Sequence, residues 1–437
     1  MRFTRFLVLC ALAACGGADE HLTQAAPGAE DPCGALPATL TLSEGGRAVL
    51  ARGALVDSAV VGEGVAVVPE ESRFVVREAA PQVGGAVRVQ CAGRQVAIPV
   101  TVQPLTWSKL AQWKGGAKEG AEGPLGREYF SMWLDEARPN QLFVFGGFVY
   151  EPKQFTPASD LWRFDLGTST FRKLIMSGEP PLSPGGRVAP IPGEDALFYF
   201  GGATVKPNGA LATAPLLKRL SYGADSAAWS DAADASRSTP SYTGAFVYDS
   251  KRQRWLSICG MDTDRGVHCQ VDAYTPKSGW AAVATAGKAP RGRSGFHYAY
   301  DQEADRVVLF GGALSATGGS VAGDTWSLNL AESPPRWTLL FESDPAAAPR
   351  RNGAWVYDPV GHRLLVWGGT ANGRTAIPGL QSLSLTANQE RWTSHEVPRD
   401  VPPRASGMGV YDAAQRRAVL GFGNETAIYT DLWALAL

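Results

Sequence analysis

The sequence predicts an all-β protein whose larger part is a β-propeller, and two observations carry the prediction. The first is a sequence motif that occurs six times: an apolar run that ends in Gly-Gly or in a degraded form of it. The copies end at Gly146-Gly147, Gly201-Gly202, Cys259-Gly260, Gly311-Gly312, Gly368-Gly369 and Phe422-Gly423. The second is their spacing of roughly 55 residues, which is typical of radial arrays built from strands.

The two ends of the repeat region predict how such an array closes. The sixth repeat reaches Leu437 after only three strand-like runs, and Leu105–Leu110 reads as a fourth strand placed before the first repeat. Adding that strand to the last sheet removes two open sheet edges. We therefore expect six blades over residues 105–437, with seven as the alternative.

The third strand of several repeats carries a second motif. It reads Asp160-Leu161-Trp162, Asp324-Thr325-Trp326 and Asp431-Leu432-Trp433, and a Trp-containing strand follows. With the Gly-Gly strand before it, this pattern resembles the kelch repeat over residues 105–437. The resemblance implies a six-bladed kelch-type β-propeller, although Pro190 and Pro192 interrupt the innermost strand of the second blade.

A different character marks residues 32–103. Strand-like runs such as Arg73–Val76 and Gln95–Val102 alternate with turns such as Glu44-Gly45-Gly46. This region resembles a small immunoglobulin-like β-sandwich. The alternative is an irregular spacer.

The N-terminus has the character of a targeting segment. Arg2 and Arg5 precede a short apolar run, and Leu12-Ala13-Ala14-Cys15-Gly16 resembles the bacterial lipobox. We expect residues 1–14 to be a lipoprotein signal peptide, Cys15 to carry lipid, and residues 15–31 to be a flexible tether. The resemblance implies an exported lipoprotein at the outer membrane, and an ordinary secretory signal is the alternative.

Four of the six cysteines remain for pairing once Cys10 leaves with the signal and Cys15 is lipidated. An even set in an exported protein predicts two disulfides, with three possible connectivities. Proximity in the sequence favours Cys33–Cys91 and Cys259–Cys269.

Arginines precede the first strand of most repeats. They are Arg127, Arg187, Arg293, Arg350 and Arg404. We expect this ring near the central channel to bind an anionic ligand, because guanidinium groups hold carboxylates in bidentate geometry. The alternative is that each arginine bonds neighbouring loops or carbonyls of its own fold.

The loops after Gly-Gly differ from one another, and variable loops on a rigid scaffold often carry recognition. From these loops we predict Tyr150, Asn372, Asn424 and Tyr429 as ligand-binding candidates.

Catalytic signals are weak. The sequence holds none of the common hydrolase, zinc-protease, phosphate-loop or calcium-loop motifs, and its five histidines are scattered, so we predict no metal and no cofactor. A formal net charge of −1 argues against nucleic acid as a partner. The main prediction is a non-enzymatic module that binds an envelope protein or glycan. The alternatives are an enzyme similar to the sialic-acid mutarotases, with Glu128 as its acid or base, and a structural envelope component.

Overall fold

The computed structural model describes residues 36–51, 60–70, 73–78, 83–91, 94–116, 122–135, 137–138, 140–151, 154–213, 215–232 and 239–437. All regular secondary structure in these ranges is β-strand. The chain divides into two units, one reaching Leu42 and continuing over Gly46–Gln103, the other holding Ser43–Gly45 and Pro104–Leu437. The predicted signal segment, Cys15, the tether and Cys33 lie outside the described residues.

The first unit consists of two antiparallel sheets. The four-stranded sheet has the order β1 (Leu40–Ser43), β7 (Arg94–Gln103), β6 (Gly85–Cys91), β3 (Val60–Glu63). The three-stranded sheet has the order β2 (Ala48–Ala51), β5 (Arg73–Glu78), β4 (Val65–Pro69). Alternate residues of β7 point inward, so Ile98 and Val100 join Phe74 and Val76 from the other sheet in one apolar core.

The second unit contains, among its described residues, six sheets of four or five strands and one two-stranded ribbon. Sheet 1 holds β9 (Arg127–Glu128), β10 (Ser131–Leu134), β11 (Gln141–Glu151), β12 (Gln154–Asp165) and β13 (Thr170–Lys173). Sheet 2 holds β14 (Ile175–Ser177), β15 (Arg187–Pro190), β16 (Ala196–Phe200), β19 (Leu217–Tyr222) and β20 (Ser226–Asp231). The ribbon between its strands is β17 (Ala203–Val205) and β18 (Leu211–Thr213).

The remaining sheets are four-stranded meanders. Sheet 3 holds β21 (Ala245–Asp249), β22 (Arg254–Asp262), β23 (Gly266–Thr275) and β24 (Gly279–Ala282). Sheet 4 holds β25 (His297–Asp301), β26 (Arg306–Phe310), β27 (Thr325–Asn329) and β28 (Arg336–Phe341). Sheet 5 holds β29 (Ala354–Asp358), β30 (Arg363–Trp367), β31 (Leu380–Ser384) and β32 (Arg391–His395).

Sheet 6 takes its fourth strand from the start of the unit. Its strands are β33 (Met408–Asp412), β34 (Arg417–Gly421), β35 (Asp431–Ala436) and β8 (Thr106–Gln112). Antiparallel pairing sets Leu435 opposite Trp107 and Asp431 opposite Gln112. The strand expected over Leu105–Leu110 therefore pairs with the last sheet, as predicted.

The Gly-Gly motif is explained by close contact between neighbouring sheets. Gly201 has φ +75°, and a Cβ there would lie 2.1 Å from the carbonyl oxygen of Ser241 in sheet 3. The next residue, Gly202, donates its N–H to that same oxygen at 2.9 Å. Equivalent bonds run from Gly260 to Arg293, Gly312 to Arg350, Gly369 to Arg404 and Gly423 to Arg127. The motif thus supplies a left-handed backbone, a close approach and a hydrogen bond from one sheet to the next.

The aromatic residue of each outer strand packs against the preceding sheet. Trp229 lies 4.7 Å from Phe145, Trp280 lies 4.8 Å from Phe200 and Trp392 lies 4.5 Å from Phe310, measured between ring centroids. Trp107 on β8 packs in the same way on Trp367 of sheet 5 at 5.0 Å. The tryptophans therefore form the core between the sheets, as their positions in the repeat predicted.

A disulfide joins Cys259 on β22 to Cys269 on β23, which confirms that prediction. Cys259 occupies the first Gly position of its motif and has φ +52°. The pairing predicted between Cys33 and Cys91 involves atoms outside the described set and stays a prediction.

Candidate functional site

One rim of the second unit is built from equivalent positions just before the first strand of each sheet. A side chain at this position donates to the carbonyl oxygen of the first residue of the Gly-Gly motif. The pairs are Arg127 with Gly146, Ser183 with Gly201, Ser241 with Cys259, Arg293 with Gly311, Arg350 with Gly368 and Arg404 with Phe422, all at 2.8–3.1 Å. The arginine or serine therefore fastens the start of the first strand to the end of the second.

Three of these arginines also pair with the aspartate of the Asp-x-Trp motif. Arg127 bonds Asp160, Arg293 bonds Asp324 and Arg404 bonds Asp431, each through two nitrogens at 2.6–3.2 Å. Each aspartate also accepts a bond from the tryptophan two residues later. Burial opposes ionisation of Asp324, but the bonds from Arg293 and Trp326 outweigh it and lower the pKa of Asp324. These three guanidinium groups, all 0 % exposed, are engaged within the fold.

Arg350 differs from these three arginines. It is 1 % exposed and bonds the carbonyl oxygens of Ala348 and Gly368, but the aspartate position of its sheet is Gly379. It forms no ion pair with any described residue. Burial lowers the pKa of Arg350 to about 10.

Arg187 does not occupy the rim position that we predicted for it. Ser183 holds that position in sheet 2, and Arg187 lies four residues later on β15, opposite Phe200. The register places it level with Ser131 and His297, on the strands that line the central channel. The expected five rim arginines are therefore four, because the Pro-Gly-Gly-Arg segment of the second repeat enters its strand in a different register.

A chain of backbone hydrogen bonds encircles the channel two residues beyond the rim position. In each bond, the N–H group of one residue donates to the carbonyl oxygen of the equivalent residue in the preceding repeat, at 2.6–3.0 Å. The donor–acceptor pairs are Gly185 to Tyr129, Thr243 to Gly185, Gly295 to Thr243, Asn352 to Gly295 and Ser406 to Asn352. All six residues have φ between +53° and +80°. We call them the inner ring.

Glu128 lies beside the inner ring on β9. Its carboxylate accepts hydrogen bonds from Asn424 and Ser406 and forms no ion pair with any residue that the structure describes. Burial raises the pKa of Glu128 to about 7, and the two hydrogen bonds only partly oppose this. Glu128 therefore titrates near neutral pH, where a carboxyl group serves either as acid or as base.

Tyrosines surround this carboxylate. The Tyr129 hydroxyl accepts a bond from Asn352 at 3.0 Å, and its ring lies 5.6 Å from that of Tyr242. Burial raises the pKa of Tyr129; the charge of Glu128 adds to this, and that of Arg351 opposes it. Arg351 reaches the same area between Gly318 and Gly373, and its Nε has no hydrogen-bond partner among the described atoms.

The predicted loop residues divide into those near Glu128 and those with other contacts. Asn424 bonds Glu128, and Tyr429 lies under the Arg404 guanidinium at 4.4 Å. Asn372 accepts the backbone N–H groups of Arg374 and Thr375 at 2.9 Å, which shapes its own loop. Tyr150 is 47 % exposed and packs edge-on against Phe155.

Four residues of this area were not predicted from the sequence: Tyr129, Tyr242, Asn352 and Arg351. A usable signal was present, since the residue two after each rim position is Tyr129, Gly185, Thr243, Gly295, Asn352 or Ser406. All but Tyr129 are small or suited to a left-handed backbone, which marks a repeated turn.

A cavity of about 700 Å³ occupies the channel between the innermost strands. Its walls include Tyr298, Trp355, Tyr357 and Tyr411. A smaller cavity of about 150 Å³ shares Met132, Val188, Tyr298, Trp355 and Gly409 with it and is lined by Arg187. The two cavities are therefore adjacent, and Arg187 lines the smaller of them.

Metal-binding groups are not evident. Within the described ranges, no three His, Cys, Asp or Glu side chains are arranged to hold a metal ion. His297, the histidine on an innermost strand, accepts the Gly353 N–H at 2.9 Å, and burial followed by the charge of Arg350 lowers its pKa to about 3. No helix of the described part is long and apolar enough to cross a membrane.

Comparisons with known proteins support the fold. No family model matches the chain. Two rice proteins, Adagio-like protein 1 and Putative adagio-like protein 2 from Oryza sativa subsp. japonica, are 26% identical over 364 residues, or 79% of this chain. The chain spans about half the length of these curated relatives, 54% and 53%. Their likeness to the chain supports a kelch-like propeller.

Among solved structures, that of YjhT matches with a TM-score of 0.53 and 12% identity, over 72% of this chain and 96% of that chain. The likeness to this structure contradicts our main prediction of a non-enzymatic module, and we withdraw that prediction. The sheets, the rice relatives and this neighbour together show that the chain has an all-β, kelch-like propeller fold.

Proposed function

We propose that the protein is a sugar-modifying enzyme that exchanges the anomers of an acidic sugar, with Glu128 as the proton-transfer group. The observation that carries the proposal is the pKa of Glu128, which burial raises to about 7 while the carboxylate lacks an ion-pair partner among the described residues. A group with a pKa near the working pH is the best compromise for moving protons in both directions.

Anomer exchange needs proton transfer and little else. A base removes the proton of the anomeric hydroxyl, an acid protonates the ring oxygen, and the bond from the anomeric carbon to the ring oxygen breaks. The open form then recloses on its other face with the same two transfers reversed. Glu128 is present in both protonation states near pH 7, so it can serve in either step.

The neighbours of Glu128 fit the binding of an acidic sugar. Asn424 and Ser406 orient the carboxyl group through hydrogen bonds. Arg351 supplies a positive charge, and its Nε has no hydrogen-bond partner among the described atoms. A guanidinium group of this kind is suited to binding a sugar carboxylate. Tyr129 and Tyr242 offer aromatic faces beside it.

The test is the rate of anomer exchange of N-acetylneuraminate, measured by NMR magnetisation exchange with the full chain. Glu128→Gln should lower the catalysed rate by a factor of about 10²–10⁴, the usual contribution of general acid–base catalysis. Glu332→Gln is the matched control, because Glu332 is an exposed carboxylate paired with Arg336 on an outer strand. A wild-type rate equal to that of the buffer, or an unchanged rate in Glu128→Gln, would reject the proposal.

We further propose that the six sheets of the second unit are six blades of one closed propeller. The inner ring contains one residue from each repeat, and Gly423 of sheet 6 bonds Arg127 of sheet 1 in the same way as in four other pairs of neighbouring sheets, from sheet 2 to sheet 6. Deleting Leu105–Leu110 should expose the edge of β35 and cause aggregation or a large loss of thermal stability. Cooperative melting at the wild-type temperature would argue against closure by this strand.

The first unit and the N-terminus complete the proposal. The two-sheet arrangement with one shared core supports an immunoglobulin-like sandwich for residues 32–103. Residues 1–14 would direct export, and Cys15 would anchor the protein by lipid at the outer membrane, where acidic envelope glycans would supply its substrate. Cys15→Ala should release the protein from membranes, and salt-resistant membrane retention of a processed Cys15→Ala protein would contradict the anchor.

A further inference from the structure

We propose a second binding site in the channel, separate from Glu128, that holds a small carboxylate with a flat apolar body against Arg187. The proposal joins two observations: an aromatic channel of about 700 Å³ and a buried arginine at its inner end that lacks a carboxylate partner among the described residues.

Arg187 is 7 % exposed, yet its hydrogen bonding is incomplete. One terminal nitrogen reaches the carbonyl oxygen of Gly186 at 3.3 Å, while Nε has no partner in the described part of the chain. The guanidinium carbon lies 5.2 Å from the centre of the Trp355 ring. A buried cation held by one long bond to a carbonyl, a hydrogen bond with the Tyr298 hydroxyl and one aromatic face has no carboxylate partner among the described residues, so an anion would complete the site.

The charges around Arg187 do not neutralise it. Arg350 and Arg187 both depress the pKa of His297, which places two buried arginines near the same histidine. Burial raises the pKa of Tyr298, and the charge of Arg187 opposes this. Glu128 acts on the pKa values of Tyr129 and Tyr242 together with Arg187 and Arg351, so the three arginines near this end, Arg187, Arg350 and Arg351, outnumber its one carboxylate.

Acidic residues line the wide end of the channel, but they have partners of their own. Asp135 and Asp195 pair with Arg138, and Glu194 pairs with Arg219. These ion pairs leave the attraction of an anion to the inner arginines intact.

The inner strands define how a ligand would enter. They begin at the inner ring, next to Arg187, and end at the turns around Asp135 and Asp195 that line the wide cavity. From Arg187 to Pro190 the strand rises about 10 Å. A ligand entering from the side opposite Glu128 would reach Arg187 with its carboxylate and place its body against the channel-facing sides of Tyr298 and Trp355, whose rings contact each other at 5.2 Å.

The chemistry of the walls selects the ligand class. Arginine binds a carboxylate through two parallel hydrogen bonds, and tyrosine and tryptophan faces favour a flat apolar body. The volume suits a molecule of ordinary ligand size. A ligand of this site therefore needs one negative charge at one end of an aromatic or alicyclic group.

Binding of 3-phenylpropionate to the full chain, measured by titration calorimetry, tests the proposal, with 3-phenylpropanamide as the neutral match. We expect the carboxylate to bind and the amide to bind at least tenfold more weakly. Arg187→Met should weaken carboxylate binding about 100-fold, as expected for two lost charge-assisted bonds. The control Arg172→Met removes an exposed arginine of an outer strand and should leave binding unchanged.

Glu128→Gln separates this site from the proposed catalytic site, and binding of 3-phenylpropionate should survive it. If Arg187→Met does not fold, Arg187→Lys keeps the charge without the bidentate geometry and should weaken binding at least tenfold. Equal binding of acid and amide, unchanged binding in the Arg187 variants, loss of binding in Glu128→Gln alone, or no binding at millimolar 3-phenylpropionate would each overturn the proposal.

Discussion

Sheets 1, 4 and 6 hold the end of their Gly-Gly strand differently from sheets 2, 3 and 5. In the first group an arginine donates to the motif carbonyl and is neutralised by an aspartate that also binds a tryptophan. In the second group the same carbonyl receives a serine hydroxyl in sheets 2 and 3, or Arg350 without a carboxylate in sheet 5. Every sheet therefore places a donor at this position, whereas a carboxylate accompanies the donor only in sheets 1, 4 and 6.

Three buried or half-buried charged groups, Glu128, Arg187 and Arg350, form no ion pair with described residues. Arg350 occupies the same rim position as the paired arginines, whereas Glu128 lies beside the inner ring and Arg187 lines the channel. Paired charges in this protein stabilise the repeat, whereas unpaired ones mark the places where we propose chemistry and binding.

The largest effect should follow from removing one carboxylate of the first group. Asp431→Asn leaves Arg404 buried and uncompensated and should lower the free energy of unfolding by about 3–5 kcal/mol. Urea unfolding measures this, with Asp225→Asn as the control because Asp225 and Arg172 form an exposed pair. A cost for Asp431→Asn as small as that of Asp225→Asn would break the distinction between charged and uncharged donors.

Because Glu128 has no ion-pair partner among the described residues, the free energy of unfolding should depend on pH. Its folded pKa of about 7 lies above the unfolded value, so the folded protein holds the extra proton between about pH 4.5 and pH 7. Wild-type stability should therefore fall across this window relative to Glu128→Gln, by up to about 3 kcal/mol at pH 8, and the two should differ least near pH 4. Denaturant unfolding at several pH values tests this, and a pH-independent difference would contradict it.

Sheet 3 has a covalent bond in place of the ion pair. Replacing Cys259 and Cys269 together by Ser opens a short loop and should cost about 2–3 kcal/mol by the chain-entropy argument. The measurement is thermal unfolding of the double variant against the oxidised wild type. The reduced wild type serves as the control and should match the double variant.

The smallest effect is expected at Arg350. Arg350→Met removes two hydrogen bonds to carbonyl oxygens but breaks no ion pair, so it should lower the free energy of unfolding by only about 1–2 kcal/mol. Arg404→Met should cost more, since it leaves the buried Asp431 unpaired. Equal costs for these two variants would show that the carboxylate does not decide the difference.

Much of the fold was predictable because it rests on local repetition. The Gly-Gly positions, the Trp strands, the pairing of the Leu105–Leu110 segment and the Cys259–Cys269 bond all follow from residues at a fixed spacing. Arg187 shows where spacing fails. It was assigned to the rim, but sheet 2 places Ser183 there and carries Arg187 into the channel.

The site was less predictable than the fold. Asn424 was selected from a variable loop and Glu128 from its place beside Arg127, but nothing local indicated that the two are hydrogen-bonded 296 residues apart. Asn352 and Tyr129, separated by 223 residues, are a second such pair. These contacts join repeats that are far apart in the sequence, so their partners depend on how the repeats are arranged in space.

The sequence by itself determined the strand pattern, the repeat and the residues that fasten one strand to the next, because these depend on alternation and on neighbours in the chain. Only the tertiary structure decided which charges have partners. Arg187 looks equivalent to the rim arginines in the sequence, yet the structure gives the rim position of sheet 2 to Ser183 and leaves Arg187 without a carboxylate partner among the described residues. Burial and partner geometry, rather than residue type, separate a structural arginine from one free to meet a ligand.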